Sequence, residues 1–503
     1  MTTRPTTENA TPEPAASAQE APLRGLLERD PSVVTAGADL FAEDLRQQAV
    51  PVTEVEWRPP MEGTSEALAR IMADPRLAGA NQLALERITS AEAELVRLAP
   101  ASELLDLQPG EFLHSGPPLT WDRASGPMRG ALIGAMLFEG LAATPEEAEE
   151  KLAGPDISLA PCHSRGAVGP MAGVISPSMW LFELRDPVHG NVAYCSLNEG
   201  LGKVLRYGAY GEEVITRLQW MRDVLGPVLA EAVEAHGPVD IKAYLAQMLQ
   251  MGDEGHNRNR SATLMFLRDL LPHLVAQDRD RADIAEVCRF VGANDHFALN
   301  LVMPACKLAM VAAKDIPGSS VVVTMARNGT DFGIQLAGTG DEWFTGPAGT
   351  PEGLFLGAYG PEDANPDIGD SAITETAGMG GLVMAAAPAI VRLVGGDVDF
   401  ALTTTRTMYE ITLGEHPTLQ VPILEFRGAP CGIDAVAVAR TGVLPQINTG
   451  MAGRVAGTGQ VGAGLVTPPA EAFAAAVEAL AERVPATSGA ADGTAPADST
   501  TPA

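Results

Sequence analysis

The sequence predicts a multidomain α/β and α+β protein: an N-terminal Rossmann-like α/β unit, then α+β domains with a helical subdomain. Three observations predict it. Val33 to Trp57 spells strand, helix, strand, the spacing of a parallel sheet. Glu212 to Cys306 carries apolar residues at helical spacing almost throughout. The remainder sets short β-branched runs between Gly- and Pro-rich loops, as in sheet domains with functional loops. A length of 503 residues is compatible with two to four domains.

In chain order, residues 1–21 are rich in Thr, Pro, Glu and Ala and predict a disordered tail, as do residues 484–503. Residues 22–110 form the Rossmann-like α/β domain. It starts with a strand at Val33, a helix from Asp39 to Gln48 and a strand from Val50 to Trp57, and an amphipathic helix is expected from Asn81 to Ala99. No GxGxxG and no P-loop follows a strand, so no dinucleotide or nucleoside triphosphate site is assigned. Residues 111–211 read as an α+β domain. Ser125 is placed to cap a helix from Met128 to Leu141, and strands at Trp180–Leu184 and Val192–Ser196 flank a turn. Residues 212–315 form the helical subdomain. Residues 316–483 form a C-terminal α+β domain in which Asn328-Gly329 signals a hairpin. Within it a helix is expected from Leu382 to Val394, another from Phe400 to Leu413, a short strand from Val421 to Phe426 and a last helix from Glu471 to Arg483.

Composition narrows the function. Five cysteines without a CxxC pair indicate neither a disulfide framework nor a zinc finger. A net charge of -30, from 34 basic and 64 acidic residues, opposes non-specific nucleic-acid binding. The N-terminus shows no apolar signal region, and the longest apolar run, Gly378 to Val394, is too short and too broken to span a bilayer. A cytoplasmic protein without nucleic-acid or membrane partners is expected.

The densest chemistry lies in Gly252-Asp-Glu-Gly-His-Asn-Arg-Asn-Arg260, between two apolar helices. Two carboxylates, an imidazole, two amides and two guanidiniums share one short turn. A solvated loop with capping Asp and Asn fits this pattern. The crowding of ligand-type groups favours a site, with a small anion held by Arg258 and Arg260. In that reading His256 exchanges a proton with the reacting group, Asp253 or Glu254 orients it, and Asn257 and Asn259 contact substrate. Further basic or polar residues in Gly-rich stretches are candidate substrate contacts: Arg123, Arg129, His163, Lys203, Arg327, Asn328, Ser371 and Glu375. Each has a bland counterpart: a local ion pair for the arginines, a helix start at Lys203, a decorated hairpin tip at Arg327 and Asn328, and close helix packing around Ser371 and Glu375. Nothing in the sequence activates Cys162, which reads as a packed thiol.

Several runs taken together resemble the AllG (YlbE-like) family. They are Val55-Glu-Trp-Arg-Pro-Pro60, His114-Ser-Gly-Pro-Pro, Gly169-Pro-Met-Ala-Gly, Asn198-Glu-Gly-Leu-Gly-Lys203, Gly252-Asp-Glu-Gly-His-Asn-Arg-Asn259, Arg327-Asn-Gly, Asp370-Ser-Ala-Ile-Thr-Glu-Thr-Ala-Gly and Ile447-Asn-Thr-Gly. The resemblance spans most of Ser32 to Gly453. It implies an α/β N-terminal domain, α+β domains and a helical insertion. It also implies a subunit of oxamate carbamoyltransferase, in allantoin degradation, with an FdrA-like protein and further subunits as partners. Carbamoyl transfer from carbamoyl phosphate to oxamate needs phosphate neutralisation, a polarised carbamoyl carbonyl and an oriented amine. Arginines and an imidazole supply these without a cofactor or a metal. Two other readings remain: a non-catalytic structural subunit of that complex, and an amidohydrolase of a ureido acid with Asp253, Glu254 and His256 on a metal. No HxH or HExxH spacing favours the latter.

Overall fold

The computed structural model describes residues 33–483 apart from 38, 56, 57 and 394. The expected tails, 1–21 and 484–503, lie outside the described residues, as do Glu56 and Trp57 of the Val55–Pro60 run. The chain divides into two compact units, Met1–Pro59 and Pro60–Ala503.

In the first unit, strands Val33–Thr35 and Val52–Glu54 pair in parallel, with Val33 opposite Val52, and helix Asp39–Gln47 connects them. The strand–helix–strand order is as the sequence predicts. The described residues carry this single step, and a Rossmann-like sheet is not seen among them.

The second unit mixes sheets and helices. One five-stranded sheet runs in the order Ala167–Val168, Val192–Ser196, Trp180–Arg185, Glu94–Pro100, Val239–Asp240. Helices from the 212–312 region pack on it. Their buried faces, among them Leu225, Leu229, Phe266, Phe297 and Leu301, join Leu95, Phe182 and Leu184 in one apolar core. A four-stranded sheet contains the hairpin Val322–Asn328 and Asp331–Leu336, with Arg327 opposite Phe332 across the Asn328-Gly329 turn. That hairpin and the terminal helix Ala470–Arg483 share a second core around Phe332, Ile334, Phe473 and Val477. A third sheet orders Glu352–Phe355, Gln460–Val466 and Ile447–Ala452. Positions 110, 211 and 315 all lie within this second unit.

Four local expectations differ from the structure, the first being the helix expected from Phe400 to Leu413, which ends at Met408 and leaves Thr412 and Leu413 to open strand Thr412–Val421. The helix expected to reach Ala99 ends at Ser90, and Glu94–Pro100 is a strand. Lys242 Nζ donates to the carbonyls of Thr89 and Ala91 at 3.1 and 2.6 Å, satisfying the helix end from far away in sequence. The single helix expected over Leu382–Val394 is a 3-10 segment, Gly380–Ala386, kinked at Val383, followed by helix Pro388–Leu393. Pro388 has no N–H to continue a helix and fits at a first turn. The strand expected at Val421–Phe426 is instead the turn between strands Thr412–Val421 and Arg427–Ile433, with Glu425 and Phe426 at φ +59° and +60°.

Candidate functional site

The polar turn joins helix Ile241–Gln250 to helix Arg260–Val275. Gly252 and Gly255 sit at φ +88° and +92°, a region costly to side chains, which lets the chain double back within a few residues. Its two carboxylates hold the turn itself. Glu254 accepts the backbone N–H groups of His256, Asn257 and Arg258 at 2.9, 2.6 and 2.7 Å. Asp253 accepts from the backbone of Ser261 at 2.6 Å and from its hydroxyl, in the first turn of the following helix. The other Asp253 oxygen takes Arg258 Nε at 2.7 Å. Asn259 Nδ2 donates to the His256 carbonyl at 3.0 Å.

A second segment meets this turn. The short helix Ile373–Thr376 brings Glu375 against His256, whose Nδ1 lies 2.9 Å from both carboxylate oxygens. Glu375 also accepts Gly381 N at 2.8 Å, Asn448 N at 3.2 Å and the Thr374 hydroxyl at 2.8 Å. Asn257 Nδ2 donates to Asn448 Oδ1, and Gly380 N donates to the Glu254 carbonyl at 2.7 Å. A Cβ at Gly380, φ +56°, would overlap the Glu375 carboxylate, so the close approach of these two segments requires glycine there.

Both carboxylates are fully buried, and their environments separate them. Burial pushes Glu254 up to about 7, with the nearby Glu375 charge adding to the rise, while His256 and the backbone N–H donors pull against it. Burial acts on Glu375 in the same direction, but the His256 imidazole and the hydrogen bonds from Gly381 and Thr374 outweigh it and hold the carboxyl below its ordinary value. The pair is therefore an ionised Glu375 orienting the His256 ring. His256 Nε2 makes no hydrogen bond among the described residues. Arg258, with 38% of its side chain exposed, spends Nε on Asp253 and leaves its two terminal nitrogens without a partner among the described residues. An oriented imidazole can exchange a proton, and a partly exposed guanidinium two residues further along the same turn can neutralise an anion.

The structure thus brings together Asp253, Glu254, His256, Asn257, Arg258, Asn259 and Glu375. Arg260 stands apart, largely exposed and 3.7 Å from Asp295. His163 and Ser371 belong to a neighbouring buried cluster. Asp370 accepts the N–H groups of Gly116 and Gly169 at 2.8 and 3.0 Å and lies 3.4 Å from His163 Nε2, while Lys307 Nζ is 2.9 Å from His163 Nδ1. Burial, with the Lys314 charge, lowers Lys307 to about 8. The Ser371 hydroxyl is buried without a partner among the described residues. The sequence reading missed Lys307; its signal was one lysine in the apolar run Leu299–Ala312.

The remaining candidates are held elsewhere. Arg327 is fully buried and forks onto Asp367 at 2.6 and 3.0 Å, with further bonds to Gly369 O and Thr449. Asn328 accepts Thr330 N and Asp331 N and so closes the hairpin turn. Arg123 pairs with Asp331 at 2.7 Å. Arg129 donates to the carbonyls of Trp121, Asp122 and Ala124 and lies over the Trp121 ring. Lys203 is exposed on its loop. Cys162 is buried and donates to Gly173 O at 3.2 Å. Among the described residues no group of three metal-ligating side chains is found, and no helix is long and apolar enough to cross a membrane.

The fold and this junction define a mixed α/β protein whose helical layer carries a carboxylate-oriented imidazole, and comparison with known proteins places it. The family described as oxamate carbamoyltransferase subunit AllG matches over residues 157–371. The oxamate carbamoyltransferase subunit AllG of Escherichia coli K12 is 46% identical over 410 residues, covering 81% of this chain and 98% of that protein. The chain belongs to the AllG family. It is also 44% identical over 462 residues to the uncharacterized protein YahG of the same organism, covering 90% of this chain and 97% of YahG. A crystal structure of a conserved protein of unknown function from Enterococcus faecalis V583 superposes with a TM-score of 0.80 at 44% identity, covering 81% of this chain and 98% of that one.

Proposed function

We propose that this protein is a subunit of a carbamoyltransferase that moves the carbamoyl group between carbamoyl phosphate and oxamate, giving oxalurate and phosphate reversibly. The observation that carries the reading is the His256–Glu375 pair on the turn that also carries the partly exposed Arg258, in a chain nearly half identical to an oxamate carbamoyltransferase subunit over almost all of that subunit's length. In the forward direction the oxamate amide nitrogen attacks the carbamoyl carbon, its proton passes to His256 Nε2, and phosphate leaves with the bonding electron pair. Ionised Glu375 fixes the ring and stabilises the imidazolium that forms. Arg258 neutralises the departing phosphate or the oxamate carboxylate. Asn257 and Asn259 position the substrate, and Asp253 and Glu254 hold the turn that presents it. Arg123, Arg129, His163, Lys203, Arg327, Asn328 and Ser371 take no direct part in this step and serve the local structures that hold them. The FdrA-like and further subunits complete the enzyme, which works in the cytoplasm in purine nitrogen catabolism.

One observation favours a second reading. Both turn carboxylates are turned onto their own backbone, as in a loop built to dock on another subunit. The test is carbamoyl-phosphate-dependent oxalurate formation by the co-expressed complex, with and without this chain and with His256→Asn. Loss of product on omitting the chain and in His256→Asn supports the catalytic reading. Loss on omission with full activity in His256→Asn supports the scaffold.

A further inference from the structure

Three consecutive side chains of the polar turn are held in the same way. His256 Nδ1 meets Glu375, Arg258 Nε meets Asp253, and Asn257 Nδ2 meets Asn448 Oδ1. In each, one polar end is fixed by a buried partner and the other end is free. His256 Nε2, Asn257 Oδ1 and the terminal nitrogens of Arg258 make no hydrogen bond among the described residues, and none of these atoms is sealed from solvent. Two of the partners are carboxylates. The third, Asn448, is neutral and comes from strand Ile447–Ala452.

Asn448 is fully buried. Its backbone N–H donates to Glu375 Oε1 at 3.2 Å, an oxygen that also faces His256 Nδ1. Its side chain makes one hydrogen bond, the one accepted from Asn257, while its own Nδ2 is buried without a partner among the described residues. A buried amide with an idle donor costs stability, so the strand gains little from this side chain, and its one contact is to the turn. An asparagine amide has a donor end and an acceptor end. With Nδ2 spent on Asn448, Asn257 presents its carbonyl oxygen, which accepts an N–H and repels a carboxylate oxygen.

We propose that Asn448 is a positioning residue that sets substrate choice: by holding Asn257 Nδ2 it keeps Asn257 Oδ1 for the amide N–H of oxamate and against the isosteric oxalate. The proposal rests on the reading of this turn as the site of carbamoyl transfer. Oxamate and oxalate share one carboxylate and differ only in an amide NH2 against a second carboxylate oxygen. A guanidinium attracts both, so the choice falls to a group whose hydrogen-bonding sense is fixed. Without Asn448 the Asn257 amide turns over about its last torsion and offers Nδ2 as readily as Oδ1, which suits oxalate. Loss of Asn448 therefore lowers discrimination, whereas loss of a purely structural residue weakens both ligands alike.

The test measures the KM for oxamate and the inhibition constant of oxalate in the co-expressed complex, for the wild type, Asn448→Ala, Asn257→Ala and the double variant. The wild type should hold oxalate at least about tenfold more weakly than oxamate. Asn448→Ala and Asn257→Ala should each bring the two constants within about threefold of one another. The double variant should match Asn257→Ala, because Asn448 acts through Asn257. Since alanine also leaves a gap in the strand, Asn448→Asp is the second variant at that position. It removes only the idle donor and keeps the oxygen that Asn257 Nδ2 needs, so it should keep the discrimination. An unchanged ratio in Asn448→Ala or Asn257→Ala, a double variant worse than Asn257→Ala, or lost discrimination in a folded Asn448→Asp complex would each overturn the proposal while the wild type still makes oxalurate. No oxalurate from the assembled wild-type complex would overturn the reading of the turn, and the proposal with it.

Discussion

Replacing Glu254 by glutamine isolates the cost of keeping a carboxyl in the buried turn. Glu254 is fully buried and its value stands at about 7 instead of 4.5. The protonated form is therefore favoured by folding. The stabilisation is complete below about 4.5 and is lost as pH rises through about 7. Multiplied by 2.303RT, the displacement is worth about 3 kcal/mol. The glutamine side chain keeps one acceptor oxygen and never ionises, so its own contribution is independent of pH. The groups that face this position are the His256 and Glu375 side chains and the backbone N–H groups of His256, Asn257 and Arg258, and all are kept in the variant. Urea unfolding of both proteins at pH 5 and pH 8 in matched buffers gives the comparison. Relative to Glu254→Gln, the wild type should be less stable at pH 8 than at pH 5, by about 2–3 kcal/mol, because part of the stabilisation is already lost at pH 5. A difference that stays constant, or grows in favour of the wild type at pH 8, would show that the three N–H donors outweigh burial, and the reasoning would fail.

Other changes should separate support from chemistry. Arg327→Met leaves Asp367 buried and unpaired, so it should lower stability by about 3–5 kcal/mol in thermal or chemical unfolding; an unchanged melting temperature would free Arg327 for a substrate role. Gly380→Ala puts a methyl group into the Glu375 carboxylate and strains a positive φ. It should cost about 1–3 kcal/mol and, by moving Glu375, shift the pH dependence of activity, whereas unaltered stability and profile would contradict the close approach drawn here.

How much of this could be read from the chain depends on the range of each interaction. The Asn328-Gly329 hairpin, the Trp180–Arg185 and Val192–Ser196 strands and the β-α-β step at Val33–Glu54 are set by neighbours in sequence, and the expected elements match those found. The helix ending at Ser90 was not legible, because Lys242, which donates to the carbonyls at its end, lies some 150 residues away. Leu95 and Leu98 fit a helical spacing as well as a strand, and only the neighbouring strands decide between them. The polar turn was legible as a cluster because its residues are contiguous. That Asp253 and Glu254 would face their own backbone was not, since a carboxylate after a helix can cap the chain or meet a ligand equally well. Glu375 stood out separately, but its pairing with His256 spans 119 residues and appears only in the fold.

The central claim is that the turn from Asp253 to Asn259 works on substrate. It is tested most directly by assaying Arg258→Lys and His256→Asn in the co-expressed complex, with carbamoyl-phosphate-dependent oxalurate formation measured beside a thermal melt of each variant. Lysine cannot offer the planar fork of arginine, and asparagine cannot titrate near neutrality. The account predicts that Arg258→Lys melts as the wild type does, that His256→Asn melts lower because buried Glu375 loses its partner, and that both still assemble with the partner subunits and lose at least about 100-fold in rate. Full activity in both variants would contradict it.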